Sequence, residues 1–193
     1  MNEYSYVFGK GAGKRDARPA FALMVDAVII STAAFSGCVT KPVYGVGGGE
    51  SDWRINYKDQ HADNPGGSVT HPQWVLDALE SKPVIFVVHQ TGCASCQPQA
   101  DRMNEIANRY ANKIIFYDLD LATSGQYNQG QSCVVYDPNG GKTGIALTGM
   151  VTKVKDVSGN VVVGWHAWEG GLMGEDEVNT WIKDAISHYK INS

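Results

Sequence analysis

The 193-residue chain has few cysteines and no excess of positive charge. It contains four cysteines, Cys38, Cys93, Cys96 and Cys133, which are too few and too unevenly spaced for a disulfide scaffold. The net charge of −4 gives no support for nucleic-acid binding. Hydrophobic residues make up 43% of the chain and charged residues 19%, as in soluble globular proteins. We therefore expect one domain of ordinary size with extensions, and each cysteine needs its own explanation.

Metal ligands and haem-attachment motifs are also scarce. Zinc usually needs four ligands, and neither a second Cys-x-x-Cys motif nor paired histidines accompany Cys93 and Cys96. A c-type haem would require a histidine directly after Cys96, where Gln97 stands. The sequence therefore predicts no cofactor and no metal site, and redox chemistry is the favoured interpretation of the cysteine pair. A structural disulfide and part of a metal site remain the alternatives.

The first 37 residues have the pattern of an export segment. A basic stretch containing Lys10, Lys14, Arg15 and Arg18 precedes an apolar run over residues 20–35. The run is short for a membrane-spanning helix and contains Asp26, which is costly at a bilayer centre. It ends in Phe35-Ser36-Gly37-Cys38, which resembles a lipobox, so we expect lipidation of Cys38. An uncleaved membrane anchor with a buried Cys38 is the alternative, and both interpretations place the rest of the chain in the cell envelope, outside the cytoplasm.

Residues 38–67 are predicted to form a flexible linker, because they are rich in glycine and polar side chains and lack apolar periodicity. The folded domain is expected to cover residues 68–193. It begins with a short amphipathic helix for which Thr70 is the expected N-cap and which Pro83 ends. The apolar residues of this helix are Trp74, Val75, Ala78 and Leu79.

The domain is organised around residues 82–110. Residues 84–88 form a short, mostly β-branched apolar run, which predicts a buried strand. After a turn and the motif Cys93-Ala94-Ser95-Cys96, apolar residues recur at the spacing of an amphipathic helix. They are Met103, Ile106, Ala107 and Tyr110. The Cys-x-x-Cys pair is thus predicted to lie where a strand meets a helix N-terminus.

This position favours thiolate chemistry. The free N–H groups and the positive end of the helix macrodipole stabilise a thiolate, which is the attacking species in thiol–disulfide exchange. Cys93, nearer the turn, is the predicted nucleophile, and Cys96, inside the first turn, is the predicted resolving cysteine. Ala94 and Ser95 carry neither charge nor imidazole, so the direction of the exchange stays open.

The rest of the domain is predicted to contain a buried strand, a weak helix, a hairpin and a C-terminal amphipathic helix. The strand covers residues 114–121 and the weak helix residues 123–136. The hairpin consists of residues 145–155 and 161–168 on either side of the turn at residues 156–160. The apolar face of the last helix comprises Val178, Trp181, Ile182, Ile186 and Tyr189.

The order helix, strand, Cys-x-x-Cys helix, strand, helix, hairpin, helix resembles the thioredoxin fold over residues 68–190. With the export segment, the chain resembles the membrane-anchored, extracytoplasmic thioredoxin-like proteins of prokaryotes. The resemblance implies an α/β three-layer sandwich with a central mixed β-sheet and flanking helices. It also implies a monomeric thiol–disulfide oxidoreductase that acts on protein thiols and disulfides and exchanges electrons with a membrane or envelope donor.

Three features of that family are missing. The Trp-Cys-Gly-Pro-Cys core is replaced by Gly92-Cys93-Ala94-Ser95-Cys96. The buried acid six residues before the first cysteine is replaced by Val87. The cis-proline that faces the disulfide is absent, because no proline follows Pro138. Alignment places its position near Gly149, where we expect a trans bond, since a cis bond without proline is expensive.

Further candidates for a substrate groove are Gly149, Trp168, Glu169 and His89. The end of the last strand approaches the disulfide in this fold, and Glu169 could replace the missing acid. The alternative is core packing of a tryptophan with solvation of the rest. His89, four residues before Cys93, could exchange protons with the pair or hold a soft metal ion. A strand-terminal histidine with satisfied hydrogen bonds is the favoured interpretation.

The main hypothesis is therefore a lipid-anchored thiol–disulfide oxidoreductase of the cell envelope, with Cys93 and Cys96 as its catalytic pair. Cys133 is left as a semi-buried thiol or, alternatively, as a third redox partner. The rival hypothesis is a non-catalytic thioredoxin-like module for binding or for handling a metal such as copper. In that case the cysteine pair would be a structural disulfide or would hold the metal.

Overall fold

The computed structural model describes residues 41–61, 63–140 and 144–193. The predicted export segment, residues 1–37, and the predicted lipidation site, Cys38, lie outside these residues. No helix in the described ranges is long and apolar enough to cross a membrane. The strands are β1 (Val46–Gly47), β2 (Trp53–Arg54), β3 (Val84–His89), β4 (Ile115–Asp120), β5 (Leu147–Lys155) and β6 (Val161–Glu169). The helices are α1 (Gln73–Leu79), α2 (Gln97–Tyr110), α3 (Ser124–Ser132), a 3-10 helix (Cys133–Tyr136) and α4 (Glu175–Asn192).

The six strands form one mixed sheet in the order β1-β2-β6-β5-β3-β4. β3 lies inside the sheet, parallel to β4 on one side and antiparallel to β5 on the other, and β5 and β6 form the predicted antiparallel hairpin. Helices cover both faces of this sheet. The predicted thioredoxin-like α/β sandwich is therefore confirmed.

The sheet separates two hydrophobic cores, one on each face, because the side chains of a strand alternate between its two sides. The α2–α4 core contains residues from α2, α4 and one face of the sheet, and the α1 core contains residues from α1, the 3-10 helix and the other face. The α2–α4 core includes Ile85, Val87, Cys96, Met103, Met150 and Trp181. The α1 core includes Val75, Leu79, Phe86, Cys133, Tyr136 and Trp165.

The predicted elements of the domain are present, with small changes at their ends. Pro72, not Thr70, is the N-cap residue of α1, and it makes no side-chain cap bond. The predicted weak helix over residues 123–136 divides into α3 and the 3-10 helix. All six residues of β3 are buried, as its position inside the sheet requires.

The folded unit begins earlier than the boundary predicted at residue 68. β1 and β2 lie within the predicted linker, and β2 pairs with β6 at Arg54 and Trp165. Trp53 is fully buried, and its Nε1–H donates to Asp184 of α4 at 2.8 Å. Part of the predicted linker is thus an edge of the sheet. The hydrogen bond between Trp53 and Asp184 holds it there, and short-range sequence patterns could not predict that bond.

Gly149 does not have the place that the alignment predicted for it. It lies inside β5, paired with Phe86 and Ala167, and both neighbours belong to the α1 core. Cys96 belongs to the opposite core. The peptide bond between Ile145 and Ala146, just before β5, is cis. Gly149 therefore serves packing against Phe86 rather than a groove beside the disulfide, and the predicted alignment is displaced along the strand.

Replacing Gly149 by alanine is expected to lower the free energy of unfolding by about 2 kcal/mol, because overpacking a well-filled core has a cost of this size. A Cβ atom at this position would lie 2.0 Å from Cζ of Phe86. Gly125→Ala is the matched control, because a Cβ there meets nothing within 4 Å and Gly125 lies in α3. Urea unfolding of both variants measures the difference. Equal stability of Gly149→Ala and the wild type would contradict the tight packing against Phe86.

Candidate redox site

Cys93 and Cys96 form a disulfide at the start of α2, with their Cα atoms 5.3 Å apart. Cys93 lies in the loop between β3 and α2 and is half-buried, whereas Cys96 is the N-cap residue of α2 and is fully buried. Cys93 is therefore the more accessible cysteine of the pair. An attacking sulfur must be reached by its substrate, so this accessibility suits a nucleophile. This difference in exposure agrees with the roles predicted for the two cysteines.

The backbone after Cys93 forms a turn in which two N–H groups have no backbone acceptor among the described residues. The Cys93 carbonyl accepts bonds from the N–H groups of Cys96 and Gln97, each at 3.1 Å. Within the described residues, the N–H groups of Ala94 and Ser95 donate to no backbone carbonyl. The Ser95 hydroxyl lies 3.4 Å from Cys93 Sγ. A thiolate on Cys93 would therefore have several donors within the same turn.

Asp120, at the end of β4, fixes the turn that precedes Cys93. Its carboxylate accepts the Thr91 N–H at 2.9 Å and the Thr91 hydroxyl at 2.5 Å. The hydrogen bond from the Thr91 hydroxyl is the largest cause that lowers the pKa of Asp120 to about 2. Gly92, the next residue, has φ +88°, which only glycine adopts readily. Asp120 was not among the predicted site residues, although an acid at the end of the neighbouring parallel strand was a usable signal.

Polar groups are buried behind the disulfide, beside the position of the missing acid. Gln99 is 1% exposed, and its amide donates to the Thr148 hydroxyl at 3.0 Å and accepts the Met173 N–H at 3.1 Å. Thr148 pairs with Val87 across β5 and β3. These bonds tie α2 to β5 and to the segment before α4. The side chain of Val87 itself is fully buried and offers no proton.

His89 is paired with an acid on the same side of the sheet. Its Nε2 lies 2.7 Å from Oδ1 of Asp118 on β4, while Nδ1 has no hydrogen-bond partner. The second oxygen of Asp118 accepts the Asn104 amide of α2 at 2.7 Å. Because side chains alternate along a strand, His89 lies on the same face as Val87, which is the face that Cys96 packs against. One imidazole nitrogen is thus paired with an acid, and the other is buried without a hydrogen-bond partner in the described part of the chain.

Trp168 packs against the same core as the cysteines, whereas Glu169 has a different partner. Trp168 and Cys93 both pack against the α2–α4 core, as does Ile145. Trp168 meets Trp181 edge-to-face with ring centroids 5.4 Å apart. The Glu169 carboxylate instead accepts a hydrogen bond from the Asn139 amide, so nothing in its contacts supports its predicted role as the replacement acid.

Cys133 is a buried thiol on the other side of the sheet. It is fully buried in the α1 core, with Sγ 3.6 Å from the Gln129 carbonyl. Burial raises the pKa of this thiol far above its ordinary value. Cys133 is therefore neither exposed nor on the face of the disulfide, and its geometry does not support a role as third redox partner. Among the residues that the structure describes, no group of three or more His, Cys, Asp or Glu side chains could hold a metal ion.

No protein-family model matches the chain, and no curated protein matches it in sequence. Solved structures of thioredoxins match it in fold. The chain is similar to thioredoxin of Fasciola hepatica at 12% identity, with a TM-score of 0.37 over 58% of this chain and 88% of that one. It is also similar to mitochondrial thioredoxin 3 of Saccharomyces cerevisiae in its oxidized form, at 14% identity, with a TM-score of 0.37 over 58% and 87%. For chloroplastic thioredoxin z the identity is 13%, with a TM-score of 0.38 over 61% and 90%. These likenesses concern the fold alone, and the proposal below depends on the geometry of Cys93 and Cys96.

Proposed function

We propose that the protein is a thiol–disulfide oxidoreductase that acts on proteins of the cell envelope through Cys93 and Cys96. The observation that carries the proposal is the asymmetric disulfide at the start of α2, with one half-buried and one fully buried sulfur. The envelope location, the lipid anchor at Cys38 and an envelope electron donor are part of the proposal and depend on the sequence of the first 38 residues alone.

The order of the thiol–disulfide exchange follows from the exposure of Cys93 and the burial of Cys96. In the reduced protein the Cys93 thiolate attacks one sulfur of a substrate disulfide, and the other substrate sulfur leaves as a thiolate. Cys96 then attacks Cys93 Sγ, which closes the Cys93–Cys96 disulfide and releases the second substrate thiolate. Two electrons pass from the protein to the substrate, and an external dithiol or membrane donor restores the reduced pair. The reverse sequence oxidises a substrate dithiol.

In this proposal His89 is the candidate acceptor for the proton that Cys96 must lose. Val87 cannot take it, but His89 lies on the same face with Nδ1 unoccupied and Asp118 on its other nitrogen. Trp168 and Ile145 pack against the same core as Cys93 and are candidates for apolar contacts with a substrate chain.

The reduction potential of the Cys93–Cys96 pair tests the proposal. Equilibration of the full chain with glutathione redox buffers at pH 7, followed by alkylation and mass measurement, gives the potential. We expect a value between about −120 and −270 mV, the range of disulfide-exchange enzymes. A value below about −300 mV is typical of structural disulfides and would support the rival binding module instead. Cys133→Ala is the control, because that thiol lies in the opposite core.

A further inference from the structure

A cleft of about 420 Å³ lies at the β2–β6 side of the sheet, and Trp168 is among the residues that line it. It is bounded by the end of β6, by Arg54 of β2 and by the loop that contains Asn139. The small side chain of Ala167 is one of its walls, and two carboxylates, Glu50 and Glu169, also line it. The cleft therefore combines one cation, two anions and a sheet edge.

Arg54 is the unusual group in this cleft. It is only 5% exposed, yet its Nε and Nη1 have no hydrogen-bond partner and no carboxylate forms an ion pair with it among the described residues. Its guanidinium carbon lies 4.6 Å from the centroid of the Tyr57 ring and 5.1 Å from that of the Trp165 ring. The two rings hold the guanidinium in place but accept none of its in-plane N–H groups. Buried charged donors without acceptors are costly, and a planar guanidinium fits a carboxylate with two parallel bonds.

β6 extends beyond its pairing with β2. β2 pairs with β6 only at Arg54 and Trp165, so residues 167–169 of β6 pair with β5 alone within the described chain. Backbone groups on such an edge can bind an extended peptide as an additional strand. The N–H groups of a peptide would also find acceptors in the carboxylates of Glu50 and Glu169.

We propose that this cleft is a binding site for the C-terminal end of a peptide chain, whose carboxylate is held by Arg54 and whose backbone pairs with residues 167–169. The rim carboxylates of Glu50 and Glu169 disfavour a doubly charged ligand such as phosphate, because like charges repel at close range. A peptide terminus carries one negative charge and several N–H donors, which matches the content of the cleft. The site involves no thiol and is independent of the oxidoreductase proposal.

A titration with matched peptides tests the site. The full chain in its oxidised form is labelled with ¹⁵N and titrated with N-acetyl-tetraalanine and with the C-terminal amide of the same peptide. We expect the acid to shift the Arg54 Nε–H, the Trp165 indole and the backbone N–H signals of residues 167–169 in a saturable way. The amide should bind about tenfold more weakly, because it lacks the anion that pairs with the guanidinium.

Substitutions in the cleft test whether Arg54 is the group that binds the peptide carboxylate. Arg54→Lys keeps the charge but not the two parallel donors, so we expect about a tenfold loss of affinity. Arg109→Lys is the control, because Arg109 is a half-exposed surface residue paired with Glu175. Should Arg54→Lys fail to fold, Glu50→Gln serves instead, with an expected gain of about twofold or more from removal of a repelling charge. Equal binding of acid and amide, equal binding of acetate and peptide, or tighter binding of inorganic phosphate would each overturn the proposal.

Discussion

Replacing Cys96 by serine is expected to accumulate mixed disulfides between Cys93 and envelope proteins, whereas Cys93→Ser should accumulate none. The reason is the difference in exposure of the two sulfurs: Cys93 is half-buried in a loop, while Cys96 is fully buried at the N-cap of α2. A substrate disulfide can reach the first sulfur and not the second. Without Cys96 the intermediate cannot be resolved by the second thiol, so it persists.

The measurement is non-reducing electrophoresis of each variant after acid quenching of whole cells, followed by mass spectrometry of the bands that dithiothreitol removes. In a disulfide-reduction assay both single variants should fall to the uncatalysed rate. Cys133→Ala should retain wild-type activity, because its thiol lies in the α1 core. Reduced Cys93 should also react with iodoacetamide faster than a free cysteine at pH 7, since a helix N-terminus favours the thiolate. Trapping by Cys93→Ser and not by Cys96→Ser would reverse the assigned roles.

Replacing Asp184 by alanine is expected to lower the free energy of unfolding by about 3 kcal/mol, because a buried acceptor of several donors is lost. The Asp184 carboxylate is 2% exposed and accepts the Trp53 indole N–H at 2.8 Å. It also accepts the backbone N–H of Val43 and, at 3.4 Å, that of Tyr44. Removal of the carboxylate leaves the fully buried indole N–H without its partner.

Urea unfolding gives the size of this effect, and amide hydrogen exchange at Tyr44 shows whether the N-terminal strands detach. Lys183→Ala is the control, because this neighbour on α4 is exposed and should change stability by less than about 0.5 kcal/mol. Asp184→Asn keeps one acceptor oxygen and should fall between the two. A stability of Asp184→Ala equal to that of the control would show that Trp53 is held by packing alone.

The sequence predicted the elements whose evidence is local. β3 is a continuous apolar run and α2 has a clear apolar stripe, so their type and the position of the cysteine pair between them followed directly. β1 and β2 were missed because each has two residues in a glycine-rich stretch. Their place in the sheet depends on the bond between Trp53 and Asp184, which are 131 positions apart.

The candidate site could be predicted only where its evidence is local in sequence. Cys93 and Cys96 could be found from spacing, and the structure brings Trp168 to the same core. Gly149 was misplaced because no proline marks the start of β5, so the alignment had nothing to fix it. The pairs His89–Asp118 and Thr91–Asp120 join two strands that are distant in sequence, and only the parallel register of β3 and β4 brings them together.

The bonds from Val43 and Tyr44 to Asp184 also fix where the chain joins the folded domain. The Tyr44 ring is stacked on Trp181 of α4 with centroids 3.7 Å apart, so the chain is fixed to the domain at this point. If Cys38 carries a lipid, as the sequence predicts, four residues lie between the anchor and Val43, which makes five residue steps. An extended chain of that length spans about 17 Å, whereas thirty free residues would span about 100 Å. The domain would then stay near the lipid surface, and its substrates would have to come to the membrane themselves.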